Sequence, residues 1–211
     1  MLDCSNSATA EAAALAAAAG ALADGGLVVY PTETVYGLGA DASNPRALER
    51  LVAVKGREPG KPISVLVSDL RMLGDLVSEV PPLAARLLRR FWPGPLTIVL
   101  AARATLSPLL TGDDGGIGVR LSSHATATAL VRALGRAVTA PSANPAGQPP
   151  PLTVHDARAY FGPRVDFYLD GGPVRGEPAS TVVDARAELQ VIREGAISRA
   201  TLLAALSGKP W

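Results

Sequence analysis

The sequence predicts an α/β fold in which a mixed, many-stranded β-sheet is flanked by helices. Short runs rich in Val, Ile, Leu and Thr alternate with helical stretches along the 211-residue chain. Hydrophobic residues make up 48% and charged residues 18%, which is typical of a globular protein and excludes an intrinsically disordered chain. No repeat or long linker divides the chain. We therefore expect a single domain over residues 8–200, with 1–7 and 207–211 as flexible ends.

The first predicted element is an Ala-rich helix over residues 8–23, because Ala has the highest helix propensity and the Gly25-Gly26 pair ends it. This segment lacks a basic region, carries Glu11 and is too short to span a bilayer, so we expect neither a signal peptide nor a membrane anchor. Capping residues, such as Asn44, the pair Ser122-Ser123 and Thr153, mark later helix starts. Further helices are predicted at 45–54, 70–78, 82–91, 124–134, 154–160 and 198–206.

The predicted strands are short and apolar, and several deliver polar side chains where they end. They cover 27–30, 63–67, 96–101, 117–121, 137–140, 166–169, 181–184 and 189–192. Two Pro/Gly-rich segments, 144–151 and 170–179, are predicted to be loops, and we expect the first to be mobile.

Composition excludes several classes of function. The net charge of +1 argues against a general nucleic-acid coat, which would need clustered Lys and Arg. The single cysteine, Cys4, excludes an internal disulfide and a Cys-rich zinc site, and His124 and His155 alone leave little for a His-based metal centre. We can predict no metal ligand from the sequence. We expect a cytoplasmic protein without membrane association.

Familiar phosphate-binding, dinucleotide-binding and hydrolase motifs are absent, so the polar residues at strand ends are the best guide to a site. The segment 31–39, PTETVYGLG, follows an apolar strand and places Thr32 and Thr34 on either side of Glu33. Two explanations of this segment are about equally good: the side chains bind a ligand, or Thr32 and Thr34 merely hydrogen-bond to backbone groups in a turn that follows the strand.

A basic loop follows the helix predicted at 45–54. Lys55, Arg57 and Lys61 lie within seven residues, with Gly and Pro among them. Such a loop is suited to bind a polyphosphate, because Arg can donate two parallel hydrogen bonds to a pair of oxygens and Lys supplies a point charge. A solvated basic helix end is the ordinary alternative for a loop of this kind.

Other strand ends deliver hydroxyls, an amide and arginines. Ser142 and Asn144 follow one apolar strand, Arg120 ends another, Ser180-Thr181 precedes a third and Arg193 follows a fourth. Separately these are ordinary surface termini. Together they predict one cleft rich in Arg, Lys and hydroxyls.

In this order, the motifs resemble the YrdC-like family of threonylcarbamoyl-AMP synthases. The matching segments span almost the whole chain and are PTETVYGLG at 31–39, KGR at 55–57, KP at 61–62, GVR at 118–120, PSAN at 141–144, STVVD at 180–184 and IREG at 192–195. The resemblance implies a twisted, open mixed sheet around a deep, positively charged cavity. It also implies a nucleotidyltransferase that converts L-threonine, bicarbonate and ATP, with Mg²⁺, into L-threonylcarbamoyl-AMP and pyrophosphate. Partner proteins, the tRNA threonylcarbamoyl transferase complex, would then modify tRNA.

By the same resemblance, Lys55 and Arg57 are expected to be catalytic. They would hold the phosphates of ATP together with Lys61, while Ser142, Asn144 and Arg193 complete the nucleotide site. Threonine would be held by Thr32, Thr34, Arg120 and either Ser180 or Thr181, with Arg120 pairing with its carboxylate. The role of Glu33, either orienting these groups or approaching the metal, stays open.

Two departures from the family pattern bear on this expectation. Leu66 stands where longer members carry a threonine-contacting His, a lack that shorter relatives share. Because the sequence ends at Trp211, we also expect it to lack the extra C-terminal domain of the longer type. Three alternatives remain: an RNA-binding protein that uses the basic cavity, a carbamoyl-phosphate-dependent adenylating enzyme and an inactive paralogue. The scarcity of aromatic residues, 4%, argues against RNA binding as the primary role.

Overall fold

The computed structural model describes residues 8–56, 60–176 and 178–207 and confirms the predicted α/β class. The helices within these residues are α1 (Ala8–Ala23), α2 (Pro45–Lys55), α3 (Leu70–Leu76), α4 (Pro82–Phe91), α5 (Ala125–Leu134), α6 (Val154–Phe161) and α7 (Arg199–Ser207). The strands are β1 (Val28–Tyr30), β2 (Gly37–Gly39), β3 (Val65–Leu66), β4 (Leu96–Ala101), β5 (Gly116–Arg120), β6 (Val138–Thr139), β7 (Phe167–Tyr168), β8 (Thr181–Asp184) and β9 (Gln190–Arg193). No helix in the described ranges is long and apolar enough to cross a membrane.

The strands divide between two sheets. Six form a mixed sheet in the order β6-β3-β5-β4-β8-β9, in which β3 and β5, and likewise β4 and β8, are parallel. The remaining three form a sheet in the order β2-β1-β7. Single bridges from Gly37 to Ser142 and from Asp41 to Val138 connect the two sheets. The segment that follows β1 therefore reaches the end of β6, which brings two of the predicted motifs together.

Each predicted strand has a counterpart in the structure, but β2 was not predicted. Its sequence, Gly-Leu-Gly, lacks the β-branched residues by which the other strands are recognised. The glycines are needed because the ring of Tyr30 lies across them: a Cβ atom on Gly37 would be 2.9 Å from Cζ of Tyr30. The strand thus forms by close packing against β1 rather than by local propensity.

The alternation of side chains along β4 separates the core from the site. Leu96, Ile98 and Leu100 are fully buried in the main hydrophobic core with residues of α4, whereas Thr97 and Val99 point to the opposite face of the sheet. Strand β8 repeats this pattern, with Val183 in the core and Val182 on the opposite face. A second core cluster packs α1 and α5 against the smaller sheet.

Two of the three predicted caps are confirmed. The side chain of Asn44 accepts hydrogen bonds at the start of α2, and Thr153 accepts one at the start of α6. The prediction of a Ser122-Ser123 cap on α5 is wrong, because the helix begins at Ala125 after His124. The Ser122 hydroxyl instead accepts the backbone N–H of His124 and donates to the Glu33 carboxylate, so it is part of the site described next.

Candidate active site

A cavity of about 420 Å³ lies on the face of the six-stranded sheet that is turned away from the main core. Small residues, including Ser64, Thr97 and Gly118, form its floor. A Cβ atom on Gly118 would be 3.3 Å from both Ser64 Cβ and Thr97 Cγ2, so glycine keeps the floor open. The volume is in the range of small-molecule sites. Among the described residues, the charged side chains that line it are Lys55, Asp114, Arg120, Asp184, Arg186 and Arg193.

One end of this cavity, which we call the threonine-pair end, contains Thr32, Thr34 and Arg120. The two threonine hydroxyls lie 3.1 Å apart, and both Nη atoms of Arg120 lie within 3.4 Å of Thr34 Oγ1. The Thr32 hydroxyl also donates to the carbonyl of Val35, which folds the segment after β1 into a tight turn. Arg120 is buried but lines the cavity, so its guanidinium is positioned to meet an anionic ligand.

Glu33 is the partner that holds Arg120 in place. Its Oε1 lies 2.8 Å from Nη2 of Arg120, and it accepts hydrogen bonds from the Ser122 hydroxyl and the Ser123 backbone N–H. Burial by itself raises the pKa of the Glu33 carboxyl, but the charge of Arg120 and these hydrogen bonds outweigh burial and hold the pKa below its usual value. Glu33 is therefore ionised at neutral pH, and its observed partners are Arg120, Ser122 and the backbone of Ser123.

A second arginine approaches the cavity from β9. Nη2 of Arg193 donates to the Ser180 carbonyl at 2.8 Å and to the Ser180 hydroxyl at 3.2 Å. Burial lowers the pKa of Arg193, and the charge of Arg120 lowers it further. Two cations held close together in this way create a positive region, which favours an anionic ligand.

Of the pair Ser180-Thr181, the structure places only Ser180 on the cavity. Thr181 is fully buried, and its hydroxyl donates to the carbonyl of Ile197 and accepts the backbone N–H groups of Gly195 and Ile197. Its hydroxyl therefore holds the segment that follows β9, and Thr181 is not among the residues that line the cavity. The alternation along β8 explains why adjacent residues have such different positions.

Lys55 connects the end of α2 to the loop after β6. Its Nζ donates to the carbonyls of Ser142 and Asn144, each at 2.6 Å, and its own carbonyl accepts the N–H of Ala146. Lys55 and Ser142 both line the cavity. The loop 144–151, which was predicted to be mobile, is thus hydrogen-bonded to α2 at one end. At its other end, the carbonyl of Pro151 accepts the backbone N–H of Tyr36.

The remaining predicted residues lie apart from the cavity or outside the described ranges. The Asn144 amide donates to the carbonyls of Pro145 and Gln148, and its buried Oδ1 has no hydrogen-bond partner among the described residues. Lys61 is exposed beside Pro62, which lies on the cavity. Leu66 packs into the core cluster of α1 and α5, away from the cavity. Arg57 lies outside the described residues, as does Cys4.

Sequence reasoning missed the other end of the cavity, which we call the acidic end. Here Arg186 lies between Asp114 and Asp184, and Asp114 belongs to the turn before β5. The only sequence signal was Asp184 at the end of the STVVD segment. No group of three or more His, Cys, Asp or Glu side chains suited to a metal ion is found in residues 8–56, 60–176 and 178–207.

Comparison with known proteins gives consistent matches. The family model for the Sua5, YciO and YrdC proteins, described as "Telomere recombination", matches residues 20–195. Over 185 residues, the chain is 39% identical to the putative threonylcarbamoyl-AMP synthase of Mycobacterium tuberculosis strain H37Rv, an alignment that covers 87% of this chain and 85% of that protein. Over 167 residues it is 39% identical to the threonylcarbamoyl-AMP synthase of Pyrococcus abyssi, with coverage of 79% and 49%.

Solved structures agree with these matches. P. abyssi Sua5 complexed with L-threonine superposes with a TM-score of 0.88 at 35% identity, covering 92% of this chain and 57% of that one. Escherichia coli YciO superposes with a TM-score of 0.78 at 26% identity, covering 86% and 89%. The chain therefore spans about half of the P. abyssi protein and most of the M. tuberculosis and E. coli proteins.

Proposed function

The chain belongs to the Sua5/YciO/YrdC family, as its motifs predicted, and we propose that it acts as a threonylcarbamoyl-AMP synthase. In this reaction L-threonine, bicarbonate and ATP give L-threonylcarbamoyl-AMP and pyrophosphate. The observation that carries the proposal is the threonine-pair end, where Arg120 is held by Glu33 next to two hydroxyls inside a cavity. An amino acid offers a carboxylate for Arg120 and, in threonine, a hydroxyl for Thr32 or Thr34.

The chemistry requires positioning more than a protein nucleophile. Bicarbonate first carboxylates the threonine amine with loss of water, and an oxygen of the resulting carbamate attacks the α-phosphorus of ATP. The bond from that phosphorus to the bridging oxygen breaks, and pyrophosphate leaves with the bond electrons. Negative charge on the phosphoryl oxygens is stabilised by preorganised cations, the role we assign to Lys55 and Arg193, with Arg57 and Lys61 as further phosphate ligands.

Magnesium enters this scheme as part of the substrate MgATP. The carboxylates near the cavity are engaged, since Glu33 binds Arg120, and Asp114 and Asp184 bind Arg186. Mg²⁺ commonly keeps several waters and is held largely by substrate phosphates. We assign no protein ligand to it. The product would be passed to a tRNA threonylcarbamoyl transferase complex in the cytoplasm.

The test is pyrophosphate release from ATP by the purified protein with Mg²⁺ and bicarbonate, in the presence and absence of threonine. We expect release that depends on threonine, with threonylcarbamoyl-AMP identified by mass spectrometry. Replacement of Lys55 by Ala should reduce turnover by on the order of 100-fold, since it removes a cation from the phosphates and unfastens the loop after β6. The exposed Arg103, which lies away from the cavity, provides the matched control Arg103→Ala.

Absence of pyrophosphate release from a folded protein would contradict the proposal and favour an inactive paralogue. Tight, steeply salt-dependent tRNA binding without release would instead favour an RNA-binding role.

A further inference from the structure

The carboxylate of Glu33 depends on its neighbours for its orientation, because the last torsion of a glutamate side chain has no sharply preferred angle. Its two oxygens have different partners. Oε1 lies 2.8 Å from Nη2 of Arg120 and accepts the backbone N–H of Ser123 at 3.3 Å. Oε2 accepts a hydrogen bond from the hydroxyl of Ser122. The Ser122 hydroxyl therefore fixes the rotation of the carboxylate that meets Arg120.

The Ser122 hydroxyl is itself held in place. It accepts the backbone N–H of His124 at 3.1 Å, and the carbonyl of Ser122 accepts the Thr128 hydroxyl at 3.0 Å. A serine hydroxyl has one proton to donate, and here that proton is directed to Glu33. Because Ser122 is buried, water does not compete for it.

The other contacts of the Arg120 guanidinium are longer than its ion pair with Glu33. Nε lies 3.3 Å from the carbonyl oxygen of Gly94, and Nη1 and Nη2 lie 3.4 and 3.3 Å from Thr34 Oγ1. Hydrogen bonds of this kind usually span about 2.7–3.2 Å, so these contacts constrain the guanidinium less. Its plane matters, because a guanidinium binds a carboxylate through two parallel hydrogen bonds.

We propose that Ser122 is a positioning residue that, through Glu33, holds the guanidinium of Arg120 at the angle needed to bind the carboxylate of the amino-acid substrate. The inference rests on the proposed function, because it takes threonine as the ligand of Arg120. Neither Ser122 nor Glu33 is among the residues that line the cavity, whereas Arg120 is. Ser122 thus acts on the substrate only through the two side chains that follow it.

A second chain of serine, carboxylate and arginine lies elsewhere in the fold and provides a matched control. The Ser43 hydroxyl donates to Oδ1 of Asp41 at 2.7 Å, and Oδ2 of Asp41 lies 2.8 Å from Nη2 of Arg136. These three residues do not line the cavity, and the side chain of Arg136 is 48% exposed. Ser43→Ala therefore removes the same kind of hydrogen bond without reaching the site.

Calorimetry with threonine and, separately, with ATP tests the inference. Ser122→Ala should weaken threonine binding about fivefold, through the loss of one hydrogen bond to a charged group, and leave the affinity for ATP unchanged. In a Glu33→Gln background, the same substitution should change the threonine affinity by less than about twofold, because residues that act through one another are not additive. Ser43→Ala should leave both affinities unchanged.

A second measurement needs no ligand. With ¹⁵N-labelled arginine, restricted rotation of the Arg120 guanidinium keeps its Nη protons as separate NMR signals. Ser122→Ala should merge these signals, and Ser43→Ala should not.

Separate signals in Ser122→Ala, or an equal loss of threonine affinity with Glu33 and with Gln at that position, would overturn the inference. Threonylcarbamoyl-AMP formation together with unchanged threonine affinity in Ser122→Ala would reject this inference alone. Merged signals in Ser122→Ala, without threonine-dependent pyrophosphate release by the unsubstituted protein, would reject the proposed function alone.

Discussion

Two arginine–carboxylate clusters lie at opposite ends of the same cavity and differ in their access to water. At the threonine-pair end, the side chains of Arg120 and Glu33 are only 7% and 17% exposed. At the acidic end, Arg186 is 25% exposed and its partner Asp114 is 63% exposed. The contacts are chemically alike. Their energetic consequences differ, because water and salt weaken the attraction between Arg186 and Asp114 much more than the attraction between Arg120 and Glu33.

The buried Arg120–Glu33 pair is weak evidence for stability. Desolvating two charges costs free energy that can exceed what their attraction returns. Each partner also depends on the other, since removal of one leaves an uncompensated buried charge. At the acidic end this dependence is weak for Asp114, which is largely in water, and stronger for Asp184, which is only 15% exposed.

The largest expected effect comes from Arg120→Ala. We expect on the order of 100-fold weaker threonine binding, because the charged partner of the substrate carboxylate is lost. Calorimetry with threonine measures this change. Since Glu33 is left buried and unpaired, the double variant Arg120→Ala with Glu33→Gln serves to recover stability without recovering threonine binding. Unchanged threonine affinity in either folded variant would contradict the role assigned to Arg120.

A smaller effect, with a defined pH dependence, is expected for Glu33→Gln. The pKa of Glu33 is lowered in the folded protein, so its carboxylate stabilises the fold above the unfolded pKa of about 4.3. This contribution is lost as the pH falls through the still lower folded pKa. We expect Glu33→Gln to be about 2 kcal/mol less stable at pH 7, with the difference diminishing below pH 4.

Urea unfolding at pH 7 and pH 3.5 measures the difference between Glu33→Gln and the unsubstituted protein. The exposed Glu79 gives a matched control, Glu79→Gln, which should show little difference at either pH. A stability difference that stays constant between the two pH values would show that Glu33 does not act through its charge.

The sequence contained most of the fold because strand and helix signals are local. β4 and β8 were predicted with the bounds that the structure shows, since both combine β-branched residues with clear ends. β2 was missed because its strand geometry depends on the Tyr30 ring, a tertiary contact. The division into two sheets is equally non-local, because it depends on which strand edges meet.

The site was predictable to the extent that strand ends converge. Thr34, Ser142 and Arg193 line one cavity although they lie far apart in sequence, and apolar runs that end in polar residues gave the signal. The pairing of Glu33 with Arg120 was not predictable, since it joins residues 87 positions apart through side chains alone. Arg186 left no signal, because its significance arises from a turn 72 residues away.

The smallest expected effect is that of Asp114→Asn at the exposed end. Hydrogen bonding with Arg186 lowers the pKa of Asp114, yet the carboxylate is largely in water, so the loss of stability should be below about 1 kcal/mol. It should shrink further in 1 M salt, where exposed charges are screened. Urea unfolding at low and high salt measures both changes. The less exposed Asp184 is the comparison, because it binds Arg186 through both oxygens, and Asp184→Asn should cost more and respond less to salt. A loss for Asp114→Asn as large as that for Glu33→Gln would mean that burial does not distinguish the two ends of the cavity.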